Sequence, residues 1–251
     1  MDHKKAVEEA FTELAPRYEK VVDSELRLIW GWTYKEFVDQ LIELTKIEDY
    51  DFILDIATGT CVIPLRLSKT PNDGFHFVGL DITPTMLQHA SRNIAENNQQ
   101  EKIRLTCASA MNIPFRNDTF NLITCGLATH HMDVTQLIVE MMRVLKPNGR
   151  ITVADVGAAP VWHFPPYKIV LQFIVFCYFL PKEGWARAWA ESRAISNMYT
   201  MQEWETALEN AGFIQIEVKE MKSKHFWAPS PIALSACKAN LAEGNPCDKA
   251  I

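Results

Sequence analysis

Between residues 52 and 156 the chain switches its hydrophobic period repeatedly, and that switching limits the fold more than any other feature. Phe52-Ile53-Leu54-Asp55-Ile56 is a short apolar run, mostly β-branched or aromatic, that reads as a buried strand. Residues 61–69 read as helix and 75–81 as a second strand. Thr83 as N-cap, Pro84 in the first helical position and the apolar face Met86, Leu87, Ala90 and Ile94 mark the next helix. Strands follow at 103–107 and 120–125. A helix from Val134 to Leu145 then stops at Lys146-Pro147-Asn148-Gly149, and a fifth strand covers 150–156. Such alternation predicts a parallel sheet with helices on both faces. Thr200 and Glu203 form a capping box opening a helix that ends at Gly212. Strands at 213–220 and 232–238 follow with no room for a crossover helix between them, so one of them runs antiparallel. The expectation is a doubly wound, mostly parallel seven-stranded α/β sheet with the last strand antiparallel.

One domain is expected over 1–251, with a helical segment at 1–46, the core at 47–156, an insertion at 157–199, a C-terminal helix and strands at 200–238 and a loose tail at 239–251. In the first segment Val7, Ala10, Phe11 and Leu14 keep the helical period, Pro16 interrupts it, and a second helical stretch runs from Glu25 to Lys46. The insertion is rich in aromatics, including Trp162, Phe164, Tyr167, Phe173, Phe176, Tyr178, Phe179, Trp185 and Trp189. A helix from Tyr167 to Leu180 is apolar nearly all round. It is buried core, the cover of an apolar ligand, or a surface for a membrane or partner. The run Lys182 to Arg193 reads as a solvated helix face.

Twenty-five basic and thirty-one acidic residues leave a net charge of −6 with no basic run, which argues against nucleic acid as a partner. The six cysteines include no Cys-x-x-Cys and no zinc-finger spacing, so no metal site is expected and a reducing, cytoplasmic setting is. The N-terminal residues lack the apolar stretch of a secretory signal. The apolar run Ile169 to Leu180 is shorter than the ~20 residues that span a bilayer, so contact with a membrane surface is the furthest reading it allows.

Ligands of open α/β sheets sit beyond the carboxyl ends of the strands. Four such ends carry suggestive residues. After the first strand comes Asp55-Ile56-Ala57-Thr58-Gly59-Thr60-Cys61, small residues leading into a helix N-terminus. It has one glycine where a dinucleotide fingerprint has three. It is also readable as a plain strand-to-helix turn. Asp81 ends the second strand, where a carboxylate can accept both hydroxyls of a ribose or simply charge a helix N-terminus. Ser109 to Phe115 follows the third strand and Cys125 to His131 the fourth.

As a set, Ile53 to Leu67, Val78 to Ala90, Ile113-Pro114-Phe115, Phe120 to His131 and Arg143 to Arg150 resemble the class I S-adenosylmethionine-dependent methyltransferases, in particular the ubiquinone/menaquinone C-methyltransferase type. Phe11 and Ala15-Pro16-Arg17-Tyr18 resemble that family's opening segment. The resemblance implies a Rossmann-like methyltransferase fold with a helical lid insertion and S-adenosyl-L-methionine as cofactor. It implies a cofactor site made by Asp55, Ala57, Gly59 and Thr60 on the methionine and ribose side, Asp81 at the ribose, and Ile82, Ser109 and Ala110 about the adenine. Cys125 and Gly126 would lie near the sulfonium and Tyr18 over the methionine end, with Met86 and Met111 also in contact. His131, His130 and Asp155 are candidates for a general base. His131 also reads as a loop histidine capping the helix at Val134, and Asp155 as a hydrogen-bond acceptor for loop N–H groups.

The sequence departs from the family at Cys61, where relatives carry the last loop glycine, at Val62 and Ser109, where many carry an acid, and at Asn121, where many carry Asp. The expected activity is methyl transfer to carbon or oxygen of a small lipophilic acceptor, aromatic, quinone-like or polyketide-like. The alternatives are a non-methylating reaction on the same fold and a non-catalytic binding subunit.

Overall fold

The seven segments read as strands all form strands: β1 is Phe52–Ile56, β2 His76–Asp81, β3 Ile103–Cys107, β4 Phe120–Gly126, β5 Leu145–Asp155, β6 Phe213–Glu220 and β7 Ile232–Lys238. They pair in the order β3-β2-β1-β4-β5-β7-β6 in the computed structural model, which describes residues 3–71, 74–225 and 230–240. Residues 241–251, the bulk of the expected tail, lie outside those described. The first five strands are parallel, and β7 lies antiparallel between β5 and β6. Strand order reverses at β1, which pairs with β2 on one side and β4 on the other. The expected turn at 146–149 is a bulge within β5. Phe120 pairs with Leu145 and Leu122 with Arg150, and Asn148 takes a left-handed φ of 63°.

Helices α4 (Val62–Leu67), α5 (Pro84–Glu96), α6 (Val134–Val144) and α8 (Met201–Asn210) cover the sheet. Phe120, Ile123, Leu137, Met141 and Trp204 share one core layer, and Trp30, Phe37, Leu41, Phe75 and Phe77 the other. This is the two-faced burial that near-continuous apolar strands require. Thr83 stands at the N-cap of α5 as expected, but its side chain makes no capping bond. Cys107 is exposed at the end of β3.

The N-terminal segment contains one break more than its periodicity shows. Helices α1 (His3–Leu14) and α2 (Tyr18–Trp30) flank the Pro16 turn, but the stretch expected from Glu25 to Lys46 is divided at Gly31. Gly31 has φ 73°, a conformation glycine adopts without strain. Thr33 then opens α3 (Tyr34–Leu44) with a capping box: its hydroxyl accepts from Glu36 N at 2.9 Å, and Glu36 Oε2 accepts from Thr33 N at 2.6 Å.

The insertion is one long helix, α7 (Pro165–Ala194), kinked where Gly184 leaves helical geometry at φ 80°, ψ −176°. Beyond the kink, Ala186 and Ala190 pack on Ala10 of α1. Before it, Ile169 (65% exposed) and Phe173 (67%) face outward with Tyr167, Val170 and Ile174. By length and composition Pro165–Asn197 could cross a membrane, which the count of consecutive apolar residues in the sequence does not show. The run from Lys182 to Arg193 is not a solvated face throughout, since Arg187 is 6% exposed.

Phe37 is fully buried and stacked on Trp30, with ring centroids 6.2 Å apart and an interplanar angle of 14°. Phe37→Ala should cost about 3–5 kcal/mol in urea unfolding. A loss below ~1 kcal/mol would contradict the packing of α2 and α3 on the sheet described here.

Candidate active site

Two cavities open at the carboxyl edge of the parallel strands. The larger, about 360 Å³, is in the range of small-molecule sites. Its floor is the loop after β1, where Ala57 (φ 53°), Gly59 (φ 54°) and Cys61 (φ 69°) all take left-handed backbone. The turn is closed by Cys61 N donating to Thr58 O at 2.8 Å, and tied to β2 by Thr58 N donating to Leu80 O at 3.0 Å. Cys61 thus pays the Cβ strain its position implies, with its side chain fully buried. Gly79 makes room beneath: a Cβ there would lie 2.9 Å from the Thr58 side chain.

Asp81 links this loop to the next. Its Oδ2 accepts from Gly59 N at 2.9 Å and its Oδ1 from Thr83 N at 2.8 Å. Both oxygens retain a lone pair for a ligand. Ala57, Gly59, Asp81, Ile82, Met86, Ser109, Ala110, Met111 and Gly126 all line this cavity, and α1 and α2 cover it with Phe11 and Tyr18. Ser109 Oγ accepts from Met111 N at 3.2 Å, a local bond that shapes the loop.

Three residues assigned to the cofactor by resemblance do not line the cavity. Asp55 is fully buried below the loop, where Oδ1 accepts from Thr124 Oγ1 at 2.6 Å and Oδ2 has no partner. Burial pushes its carboxyl up to about 7, against the Thr124 and Thr58 hydroxyls. Thr60 donates its hydroxyl to Glu19 at 2.9 Å and accepts at its carbonyl from Asn93 at 3.0 Å, so it braces the loop against α2 and α5. Cys125 is fully buried within the sheet.

The smaller cavity, about 200 Å³, lies between α2, α7 and the ends of β4 and β5, and shares Phe11, Tyr18, Leu127 and His131 with the larger. Its apolar walls include Leu26, Ile29, Leu171, Val175 and Phe179, and it holds the charged groups Glu25, Arg187 and Glu191. Arg187 donates from Nη2 to Glu25 at 3.2 Å, pairs from Nε with Glu191 at 3.0 Å, and lies over the Phe11 ring at 5.0 Å. Glu25, Arg187 and Glu191 are the site residues that sequence reasoning missed. Their one signal is the alanine-flanked stretch Ala186-Arg187-Ala188, whose small neighbours let α7 pack closely enough to bury a guanidinium.

The histidines occupy a tight turn, Thr129–His131. His130 Nδ1 is 2.6 Å from Asp155 Oδ1. Burial works against the charge on His130, but the adjacent Asp155 outweighs it and the pKa is raised. Asp155 lines neither cavity. It also accepts from the Thr129 hydroxyl, His130 N and Val156 N, so it orients the turn and is not a base facing a ligand. His131 does not cap the following helix, since Asp133 does, accepting from Gln136 N at 3.1 Å. Burial and the neighbouring His130 lower the His131 pKa to about 4, and its Nδ1 has no partner. One ligand atom each from His130, His131 and Glu191 could surround a metal ion, their mutual distances all within 4.8 Å. The Arg187 cation paired with Glu191 opposes a second cation there.

Residues 1–224 match the ubiE/COQ5 methyltransferase family. A demethylmenaquinone methyltransferase of Lactobacillus johnsonii is 31% identical over 153 residues, 60% of this chain and 61% of its own length. One of Symbiobacterium thermophilum is 28% identical over 227 residues, 84% and 86% of the two chains. A solved SAM-dependent methyltransferase of Aquifex aeolicus superposes with TM-score 0.58 at 16% identity over 88% of this chain and 97% of its own, a likeness of fold.

The raised Asp55 pKa has a defined stability signature. The unfolded chain ionises Asp55 near 3.9 and the folded chain near 7, so folding loses stability as pH rises through that window and not below it. Asp55→Asn should therefore gain on the wild type between pH 4 and 7, by on the order of a few kcal/mol at roughly 1.4 per pH unit. Urea unfolding at pH 5 and pH 8 measures this, and a pH-independent difference would show that Asp55 is ionised in the fold.

Proposed function

Because the chain belongs to the ubiE/COQ5 methyltransferase family, we propose that it methylates a ring carbon of a lipophilic, quinol-type acceptor. The observation that carries this reading is the pair of adjoining cavities, one built for the cofactor and one apolar, meeting at His131 and Tyr18.

The cofactor is S-adenosylmethionine, which supplies a methyl group on a positively charged sulfur. The residues present fit it. The backbone of Ala57 to Gly59 forms an open cradle, in which a Cβ added at Gly59 would meet nothing nearer than Tyr18 Cε1 at 3.9 Å. Asp81 faces the cavity, a carboxyl group suited to accepting from a ligand's hydroxyls. In this reading Asp81 holds the ribose hydroxyls and Ser109 and Ala110 lie by the adenine. Tyr18 covers the methionine end. His131, kept neutral, places no like charge beside a sulfonium.

The second cavity takes the acceptor, and α7 serves as its lid. The walls exclude water and hold the acceptor carbon in line with the methyl group, which is most of what displacement at a sulfonium needs. The relatives named above act, by their names, on demethylmenaquinone, an apolar ring system. The exposed apolar side of α7 suits contact with the lipid phase in which such an acceptor dissolves. Among the described residues Cys61, Cys107, Cys125 and Cys177 form no disulfide, in keeping with a reducing compartment.

Calorimetric titration with S-adenosylmethionine and S-adenosylhomocysteine, followed by transfer of labelled methyl to reduced demethylmenaquinone, tests the reading. Binding of both and label on a ring carbon are expected, and no binding by folded protein would overturn it. Asp81→Ala should weaken cofactor binding more than tenfold in the same titration. Unchanged affinity would remove Asp81 from the site.

A further inference from the structure

The smaller cavity contains a charge arrangement that methyl transfer to a purely hydrocarbon surface would not use. Arg187 and Glu25 both line it, bonded at 3.2 Å, and Arg187 Nη1 is buried with no partner at all. A buried guanidinium N–H left unpaired is costly unless a ligand supplies the acceptor. A carboxylate beside it is placed to receive a proton. The geometry points to a receptor for an acidic ring hydroxyl, in which Arg187 Nη1 donates to the hydroxyl oxygen and Glu25 takes its proton. The proposal rests on the reading of this cavity as the acceptor's.

The O–H bond breaks and its proton passes to Glu25, leaving the oxygen's electron pair to enrich the ring. The ring carbon bonds to the methyl group as the methyl–sulfur bond breaks. The proton on that carbon then returns to the oxygen, restoring the aromatic hydroxyl, and Glu25 releases its proton to solvent. One proton is produced per methyl transferred. Glu25 suits this work better than His131. Burial raises Glu25 to about 7 against the pull of Arg187, with Glu191, Glu183 and Lys182 of α7 also acting on it, whereas His131 is held near 4. His130 is engaged with Asp155, and Tyr18, which also lines this cavity, is pushed well above the ordinary phenol range by burial. The acceptor that this pair serves carries a free hydroxyl beside or conjugated to the methylated carbon.

The test uses 4-nitro-1-naphthol, whose absorbance reports its ionisation, and 1-nitronaphthalene, which lacks the hydroxyl. Wild-type protein should bind the naphtholate and lower the probe's pKa by at least one unit. Arg187→Met should weaken naphtholate binding at least tenfold and leave 1-nitronaphthalene unchanged. Arg187→Lys, which keeps the charge, should fall between. Glu25→Gln removes a buried carboxyl and a competing anion, so it should fold, bind naphtholate more tightly, and slow methyl transfer to the quinol about 10²–10⁴-fold with loss of the rate's rise near pH 7. Naphtholate bound equally by wild type and Arg187→Met, or a Glu25→Gln enzyme with the wild-type rate and pH profile, would overturn the proposal. If no acceptor is methylated by wild type, the acceptor reading fails, and the probe titration still decides the Arg187 assignment separately.

Discussion

The structure depends on the reversal of strand order at β1. Pairing with β2 on one side and β4 on the other, β1 sends the connections on its two flanks to opposite faces and leaves a crevice at its carboxyl end. Everything in the larger cavity is a consequence of filling that crevice with backbone. The loop after β1 turns through three left-handed residues, and Asp81 from β2 accepts its Gly59 N–H. Thr124 of β4 donates to Asp55 of β1 across the same junction. Two carboxyl groups are thereby held in low dielectric at the ends of adjacent strands, which costs stability and is tolerable where a ligand offsets it.

The second cavity depends on a different constraint, the kink at Gly184. It turns α7 so that its first half stands over the cavity while its second half packs by alanines on α1. Arg17 and Glu183 pin the kink from outside, bonded at 3.0 and 2.8 Å. Exposed pairs of this kind contribute little energy, so its part is to fix direction. Inside, Arg187 is paired with Glu25 and Glu191. Taking three charges out of water is a poor way to stabilise a fold, because desolvation offsets most of the attraction. The cluster makes better sense as part of a site.

The sheet was legible in the sequence because the central strands β1, β2 and β4 are apolar on both faces and turn or helix-stop signals separate the elements. The large cavity was legible because its residues sit at strand ends, where Asp81 and the small residues 57–59 have few other reasons to be. The position of β7 between β5 and β6 was not readable, since the strands' own patterns do not specify their neighbours. Nor was the break at Gly31, because a single glycine inside a helical period is also tolerated without one. For Asp155 and His131 the sequence left two readings each, for a related cause. Their roles depend on which atoms other loops supply, Thr129 and Val156 N–H for the one and Asp133 as helix cap for the other. Arg187 and Glu191 looked like a solvated face since charge is ordinarily exposed, and only the packing of α7 on α1 and α2 reverses that.

The central claim is that cofactor and acceptor occupy two cavities that meet at His131. A crystal structure with S-adenosylhomocysteine and a reduced naphthoquinol bound tests it most directly. The ribose is expected at Asp81, the sulfur turned toward His131 and the quinol between Leu171, Val175 and Phe179 with a hydroxyl at Arg187. A quinol bound elsewhere, or S-adenosylhomocysteine oriented with its sulfur away from His131, would contradict it.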